Sequence, residues 1–236
     1  MARTDQELAA KLRGKFLVFD GPDGSGKGTQ QKMFGERVAG AGGDVVYGKD
    51  PGGTKYGEMI RSILLDHDLS RMDVRCETFL FMASRAQLVG EVVEPALKAG
   101  KTVLCDRFIS STCAYQVAAG YDAQHVLDLG RYAVDEVWPD LTIILDVAPE
   151  EGFRRTGRRR SHVGKNRSRH AGQGVLMDDV QPDAMEARPL KFHRKVHEAL
   201  LKLPESYPRP VAVIDGSGTS EEVHQRVWEA VCGADL

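Results

Sequence analysis

The stretch FLVFDGPDGSGKGTQ, residues 16–30, decides the fold class. It begins with four apolar residues typical of a buried strand, continues through a glycine cluster and then enters a helical pattern. Gly21, Gly24 and Gly26 allow backbone N–H groups to wrap around an anion, and the N-terminus of the following helix adds a favourable dipole. Lys27 is then placed to reach the β- and γ-phosphates of a nucleotide. The stretch therefore predicts a phosphate-binding loop and not simply a flexible turn.

Four further short apolar runs alternate with helical patterns along the chain. They are VVY (45–47), TVLCD (102–106), LTIILDV (141–147) and VAVID (211–215). Nearly continuous apolar strands separated by helices indicate a parallel sheet that is covered on both faces. We therefore predict an α/β protein with the three-layer α/β/α P-loop NTPase fold and a parallel sheet of about five strands. Residues 1–236 are predicted to form one domain, with a basic lid or insertion at about 152–182.

Polar residues stand where three of these strands end. The pairs Asp20-Gly21, Lys49-Asp50 and Asp106-Arg107 lie at or just after the ends of three of these apolar runs. Ligands of parallel sheets bind beyond the carboxyl ends of the strands. We therefore expect the functional site at this edge of the sheet.

The composition excludes several classes of protein. The 236 residues are 42% hydrophobic and 28% charged, with 32 Lys and Arg against 34 Asp and Glu, so no global positive field favours nucleic acid or a membrane as a partner. No segment approaches the roughly 18 consecutive apolar residues of a membrane span, and residues 1–15 lack the apolar core of a signal peptide. The four cysteines form no Cys-x-x-Cys pair. A cytoplasmic enzyme is the expectation that remains.

Three more stretches resemble the thymidylate kinase family. KDPGGTKYGEMIR (49–61) resembles its Arg-Glu-Pro-Gly-Gly-Thr segment, and FMASRAQLVGEVVEPALKAG (81–100) resembles its Phe-x-Ala-x-Arg-Ala-Gln helix. CDRFISSTCAYQ (105–116) resembles its Asp-Arg-Tyr segment followed by Ser-Ser-x-Ala-Tyr-Gln. The resemblance implies an ATP-dependent kinase that phosphorylates dTMP to dTDP with Mg²⁺, and it also implies a homodimer.

The phosphate loop and the resemblance together assign candidate residues to three roles. ATP binding is expected of Gly21, Pro22, Asp23, Gly24, Ser25, Gly26, Lys27, Gly28 and Thr29. The resemblance implies dTMP binding by Asp23, Lys49, Phe81, Arg85, Arg107, Ser111, Tyr115 and Gln116. The candidate catalytic residues are Lys27, Asp106, Arg107, Arg155 and Arg159.

Elementary chemistry supports several of these roles. Phe81 and Arg85 are four residues apart and share one helix face, where an aromatic ring and a guanidinium can clamp a pyrimidine. Arg107 suits a monophosphate because its geometry permits bidentate hydrogen bonding. Asp106 can orient Mg²⁺ through water, and it can equally cap a helix. Asp23 resembles the family acid that bonds the 3′-hydroxyl of deoxyribose, but Pro-Asp-Gly is also a strong turn former.

The resemblance also implies a lid that carries arginines over the phosphates. Charge spreads over the γ-phosphate oxygens during transfer, and cations stabilise it. The phosphate loop contains no arginine, so the lid of the family should supply one. The candidates are Arg154, Arg155, Arg158, Arg159 and Arg160, of which Arg155 and Arg159 share one helical face.

Three positions depart from the family pattern and keep alternatives open. Gly28 stands where a Ser or Thr hydroxyl usually binds Mg²⁺, Lys49 replaces an arginine, and Ala184 replaces the arginine of the Asp-Arg-x-Glu signature. The GKGTQ loop, 26–30, also looks like that of adenylate and uridylate kinases. The alternatives are another nucleoside or nucleotide monophosphate kinase and a non-catalytic P-loop protein. The latter would bind nucleotide, or nucleic acid through its basic segment 152–177.

Overall fold

Five strands, and helices that connect and flank them, make up the described part of the chain, residues 4–67, 69–157 and 183–236, in a computed structural model. The strands are β1 (Phe16–Asp20), β2 (Val45–Lys49), β3 (Thr102–Asp106), β4 (Leu141–Asp146) and β5 (Val211–Asp215). The helices before β3 are α1 (Asp5–Lys11), α2 (Lys27–Gly40), α3 (Lys55–Leu65) and α4 (Val74–Leu88), and α4 continues through a π-helical turn (Val89–Val93) into α5 (Glu94–Lys98). The later helices are α6 (Ile109–Ala118), α7 (Ala123–Val134), α8 (Pro149–Arg155), α9 (Leu190–Ser206) and α10 (Ser220–Gly233). All five predicted strands are confirmed, with small differences only at the ends of the second and fourth.

The sheet is parallel throughout, in the order β2-β3-β1-β4-β5. Phe19 of β1 pairs with Asp106 of β3, and Asp20 pairs with Ile144 of β4. The chain leaves β1 toward one side of the sheet and leaves β3 toward the other. The crevice between the carboxyl ends of β1 and β3 is therefore the topological switch point, where ligands of such sheets bind.

Two hydrophobic clusters lie on opposite faces of the sheet and define the layers. Phe16 and Val18 point into one cluster, whereas Leu17 and Phe19 point into the other, and all four are fully buried. The first cluster includes residues of α4, α5, α6, α7 and α9, and the second includes residues of α1, α2 and α10. This arrangement confirms the three-layer α/β/α fold. It also explains why β1 reads as a continuous apolar run and not as an alternating one.

No helix within the described ranges combines the length and the apolar character that crossing a membrane would require.

Candidate active site

The phosphate loop joins β1 to α2. Gly24 and Gly26 have φ values of 74° and 93°, a left-handed backbone that glycine adopts without a steric penalty. Lys27 is buried, and its Nζ donates to the carbonyls of Gly21 and Pro22 at 3.1 and 2.9 Å. Burial lowers the pKa of the Lys27 ammonium, and the charge of a bound phosphate would oppose that effect. The loop therefore holds a cation where the phosphates of a nucleotide would lie.

Asp20, the last residue of β1, connects this loop to α6. Its fully buried carboxylate accepts hydrogen bonds from the Gly21 N–H at 2.8 Å, from Ser110 Oγ at 2.6 Å and from Ser111 Oγ at 2.7 Å. It also lies 3.5 Å from Nη1 of Arg107. Asp20 was placed at a strand end by the sequence but was given no role. Its position could have indicated a role, because an acidic residue directly follows a run of four apolar residues.

Arg107 has a φ of 68°, which is unusual for a residue that is not glycine. Its N–H donates to the carbonyl of Phe19 at 2.9 Å, and its Nη2 lies 2.7 Å from Asp23 Oδ1. Its Nη1 donates to Ser111 Oγ at 3.0 Å, and Nη2 lies 3.3 Å from the Tyr115 hydroxyl. A strained backbone of this kind costs about 1–3 kcal/mol and persists only where its surroundings impose it. The surroundings here place the guanidinium in the cavity next to the phosphate loop.

Asp106 ends β3 on the opposite side of the switch point from the loop. Its Oδ1 is buried and has no hydrogen-bond partner among the described residues, and a Cβ placed on Gly28 would lie 4.0 Å from its Oδ2. A buried carboxylate oxygen without a donor is costly unless a cation or water satisfies it, so the residue fits a divalent cation. The described residues contain no group of three or more His, Cys, Asp or Glu side chains that could hold a metal. Phosphate oxygens and water would have to complete the coordination of Mg²⁺ here.

A cavity of about 390 Å³ opens at the switch point and brings most of the predicted residues together. Those that line it are Asp23, Gly24, Gly26, Lys27, Gly28, Thr29, Lys49, Phe81, Arg85, Asp106, Arg107, Ser111, Tyr115 and Gln116. Further lining residues, which lie in the quoted motifs but were assigned no binding or catalytic role from the sequence, include Asp50, Arg61, Thr112, Asp183, Met185 and Glu186. The remaining loop residues, Gly21, Pro22 and Ser25, do not line it.

Arg85 is fixed at the base of this cavity. Its side chain is 1% exposed, and its Nε donates to Asp50 Oδ2 at 2.6 Å. Its Nη2 donates to the carbonyl of Phe108 at 3.1 Å and to Thr112 Oγ1 at 2.9 Å, and its Nη1 contacts Met82 Sδ at 3.1 Å. A guanidinium has five N–H donors. These contacts leave one N–H of Nη1 without a partner among the described residues, so Arg85 can still donate to a ligand.

A second cleft, of about 330 Å³, lies on the other side of the phosphate loop. It is lined by Gly24, Ser25, Gly26, Thr29, Gln30, Glu151, Arg154, Arg155, Gly216, Gly218, Thr219, Ser220 and Val223. The sequence did not indicate the contribution of residues 216–220, because Gly, Ser and Thr after a strand are typical of any turn. The second cleft continues from the loop and offers room for the nucleoside part of a nucleotide.

Arg155 lies at this second cleft. Its Nε is 2.8 Å from Glu151 Oε1, and its two Nη atoms donate to the carbonyl of Gly216 at 3.2 Å. Hydrogen bonds from Arg154 and Arg155 lower the pKa of Glu151 to about 2. Helix α8, which carries these residues, rests on the loop at Gly152, where any Cβ would collide with the backbone of Asp23. The lid candidates Arg158, Arg159 and Arg160 lie outside the described residues, as do residues 158–182 of the predicted lid.

A loop built for a polyphosphate and an arginine-containing cavity beside it can bring two phosphate groups together. That geometry defines a P-loop kinase whose acceptor itself carries a phosphate. Comparisons with known proteins narrow the class. A family model described as thymidylate kinase matches residues 19–227. The chain therefore belongs to the thymidylate kinase family.

Individual relatives agree with this assignment. A thymidylate kinase of Protochlamydia amoebophila is 38% identical over 223 residues, which cover 94% of this chain and 93% of the relative. A thymidylate kinase of Pelotomaculum thermopropionicum is 40% identical over 220 residues, covering 93% of each chain. The crystal structure of a thymidylate kinase from Ehrlichia chaffeensis superposes with a TM-score of 0.68 at 27% identity, covering 93% of this chain and 98% of the other. The predicted family is confirmed.

Proposed function

We propose that this chain transfers the γ-phosphoryl group of ATP to dTMP, giving ADP and dTDP. The observation that carries the proposal is that Lys27, Arg107 and Arg85 line the same cavity at the switch point. In this assignment the loop residues 21–29 bind ATP, and the second cleft holds its nucleoside part. The acceptor lies in the larger cavity with its phosphate on Arg107.

The transfer requires positioning and positive charge, but no general base. The phosphate of a nucleoside monophosphate has a second pKa near 6, so near neutral pH its attacking oxygen is already anionic. Lys27 stabilises the charge that spreads over the transferring group. Arg155 would have to leave its contacts with Glu151 and Gly216 at the second cleft to add a second cation, and Arg159 is the alternative lid arginine. Mg²⁺, oriented by Asp106 through water, would neutralise part of the phosphate charge when bound. We propose that residues 1–236 form one kinase domain; of the predicted lid at about 152–182, the structure describes residues 152–157.

The base and the sugar are recognised in the same cavity. Phe81 and Arg85 clamp the pyrimidine, with the ring stacking on the base and the remaining N–H of Arg85 donating to a base carbonyl. Asp23, held 2.7 Å from Arg107, accepts from the 3′-hydroxyl of the sugar. Tyr115 lies beside Arg107 and restricts the space for a ribose 2′-hydroxyl. Lys49, Ser111 and Gln116 complete the acceptor site.

An ADP-release assay with a panel of acceptors tests this function. We expect dTMP to give the highest kcat/KM among dTMP, dUMP, UMP, CMP, AMP and thymidine. The margin over dUMP should be at least tenfold, because a missing methyl group in an apolar pocket costs about 10–200-fold. Faster turnover of another monophosphate would retain the kinase class and overturn the dTMP assignment. ATP binding without turnover of any acceptor would favour the non-catalytic alternative.

The proposal includes a homodimer formed through α3 and α4. Tyr56, Met59 and Ile63 are 59%, 60% and 41% exposed and are spaced so that they lie on one face of α3. Phe79 of the neighbouring helix α4 is 55% exposed. An apolar surface of this kind on a protein in water favours association with another surface. A second copy of the chain presents the same surface and so can cover it by twofold symmetry.

The molar mass in solution tests the dimer. We expect light scattering to give about twice the 25.9 kDa of one chain, and Met59→Glu to shift the mass toward that of one chain, because the charge would be buried unpaired. Lys32→Glu is the matched control. Lys32 is exposed on α2, which packs on the opposite face of the sheet, so this variant should keep the mass of the parent. A parent protein with the mass of one chain would contradict the proposal.

A further inference from the structure

Glu77, on α4, is buried next to Gln116, which lines the cavity, and does not line the cavity itself. It is 2% exposed, and its Oε1 accepts a hydrogen bond from Nε2 of Gln116 at 2.7 Å. Its Oε2 accepts from Nη2 of Arg188 at 2.6 Å, and the guanidinium of Arg188 lies 4.7 Å from the ring centroid of Phe192. One carboxylate therefore joins a side chain of the cavity wall to an arginine just before α9.

This contact fixes the orientation of the Gln116 carboxamide. A carboxylate paired with arginine is ionised, and an ionised carboxylate only accepts hydrogen bonds. The nitrogen of Gln116 must therefore face Glu77, because the reversed amide would place two oxygen atoms 2.7 Å apart. Gln116 is itself 1% exposed and lines the cavity. What remains for a ligand is the Oε1 acceptor and the second hydrogen of Nε2.

The orientation matters because 4-keto and 4-amino pyrimidines present opposite patterns of hydrogen-bond donors and acceptors at the N3 and C4 edge of the base. Thymine and uracil carry an N–H donor at N3 beside a carbonyl at C4, whereas cytosine carries an acceptor at N3 beside an amino group. A glutamine free to rotate about its last bond can match either pattern by exchanging its oxygen and nitrogen. A glutamine held in one orientation matches one pattern and leaves a buried polar group unpaired against the other.

We propose that Glu77 is a positioning residue that holds Gln116 in the orientation selecting 4-keto pyrimidine nucleotides over 4-amino ones. The proposal rests on the proposed function, since it assumes that the acceptor base lies in this cavity. Arg85 contributes to the same preference because its remaining N–H matches a carbonyl at C4 and opposes an amino group. Loss of the Glu77 contact should therefore weaken the selection without abolishing it.

The test compares acceptors that differ only at this edge of the base. We would measure kcat/KM for dTMP and for 5-methyl-dCMP with the unaltered protein and with Glu77→Gln, whose amide can both donate and accept. The expected result is a fall of about tenfold in the dTMP to 5-methyl-dCMP ratio, which corresponds to one discriminating hydrogen bond. The KM for ATP should stay within twofold.

Glu91→Gln is the matched control. Glu91 accepts from Nε2 of Gln87 at 2.7 Å, so the same kind of carboxylate–carboxamide contact is present at an exposed position outside the cavity. This control should leave the ratio unchanged. If Glu77→Gln alone does not fold, the double variant Glu77→Gln with Arg188→Gln removes the partner charge as well, and its ratio is measured in the same way.

The outcomes separate this inference from the proposed function. An equal loss of activity on both acceptors, with the ratio unchanged, would show that Glu77 acts only through stability and would overturn the inference. If the unaltered protein does not phosphorylate dTMP, the proposed function fails first and this inference fails with it. A lowered ratio in the variant together with dTMP turnover by the unaltered protein supports both.

Discussion

Replacement of Lys27 by alanine is expected to lower kcat on the order of 10³-fold, the size of effect seen when one cation or donor is removed from a developing charge. In the phosphate loop, the ammonium group of Lys27 can stay in contact with the γ-phosphoryl group during its transfer. The loop contains no arginine that could replace it. Because that charge serves the transition state, the loss should fall mainly on kcat and less on the KM for dTMP. The ADP-release assay with saturating ATP measures it.

The fold should survive this substitution. Burial lowers the pKa of Lys27, which means that the folded state disfavours its charged form, so removing the side chain relieves a cost. The carbonyls of Gly21 and Pro22 lose a donor, and water entering the open cavity can replace it. We expect the thermal midpoint to change by a few degrees at most. Lys32→Ala, on the exposed side of α2, is the control and should keep full activity. Turnover near the parent rate in Lys27→Ala would remove the phosphate loop from the mechanism.

The strands were predictable because the sheet is parallel and covered on both faces. Burial on both faces forces nearly every strand position to be apolar, and the polar residue that ends each run marks the edge of the sheet. FLVFD and TVLCD therefore gave β1 and β3 with their observed ends. In β2, Gly48 and Lys49 extend the strand past the apolar residues, so the hydrophobic pattern ended it too early.

It was also partly predictable that the candidate residues lie close together in the fold. Residues that follow β1 and β3 come together because these strands are neighbours with their carboxyl ends on one edge. The resemblance added Phe81 and Arg85, which no strand-end argument could place. The structure brings them into the same cavity as Lys27.

The side-chain contacts that could not be predicted from the sequence join segments that are far apart along the chain. Glu77 and Gln116 are separated by 39 positions, and Glu77 and Arg188 by 111. Neither pair has a fixed spacing along the chain, so hydrophobic periodicity and local motifs carry no signal for it.

No contacts of Arg155 were predicted from the sequence. The structure shows that its side chain contacts Glu151 and donates to the carbonyl of Gly216.

Replacement of Arg107 by lysine is expected to lower kcat/KM for dTMP by about 100-fold, the lower end of the range for losing a preorganised donor at a charged group. Lysine keeps the positive charge that Asp20 and Asp23 require, so neither carboxylate is left without a cation in its surroundings. It loses the planar fork that binds two oxygens of a monophosphate at once.

The effect should be confined to the acceptor. Arg107 donates to Asp23, Ser111 and Tyr115, which line the acceptor cavity, and does not line the second cleft. The KM for ATP should therefore stay within about threefold of the parent, a change of well under 1 kcal/mol. Arg131→Lys, on the exposed surface of α7, is the matched control and should be silent in both assays. A variant at position 107 that weakened ATP and dTMP equally would place the arginine at the donor phosphates instead. The backbone N–H of position 107 can keep its hydrogen bond to the carbonyl of Phe19 in the lysine variant, so the comparison isolates the guanidinium group.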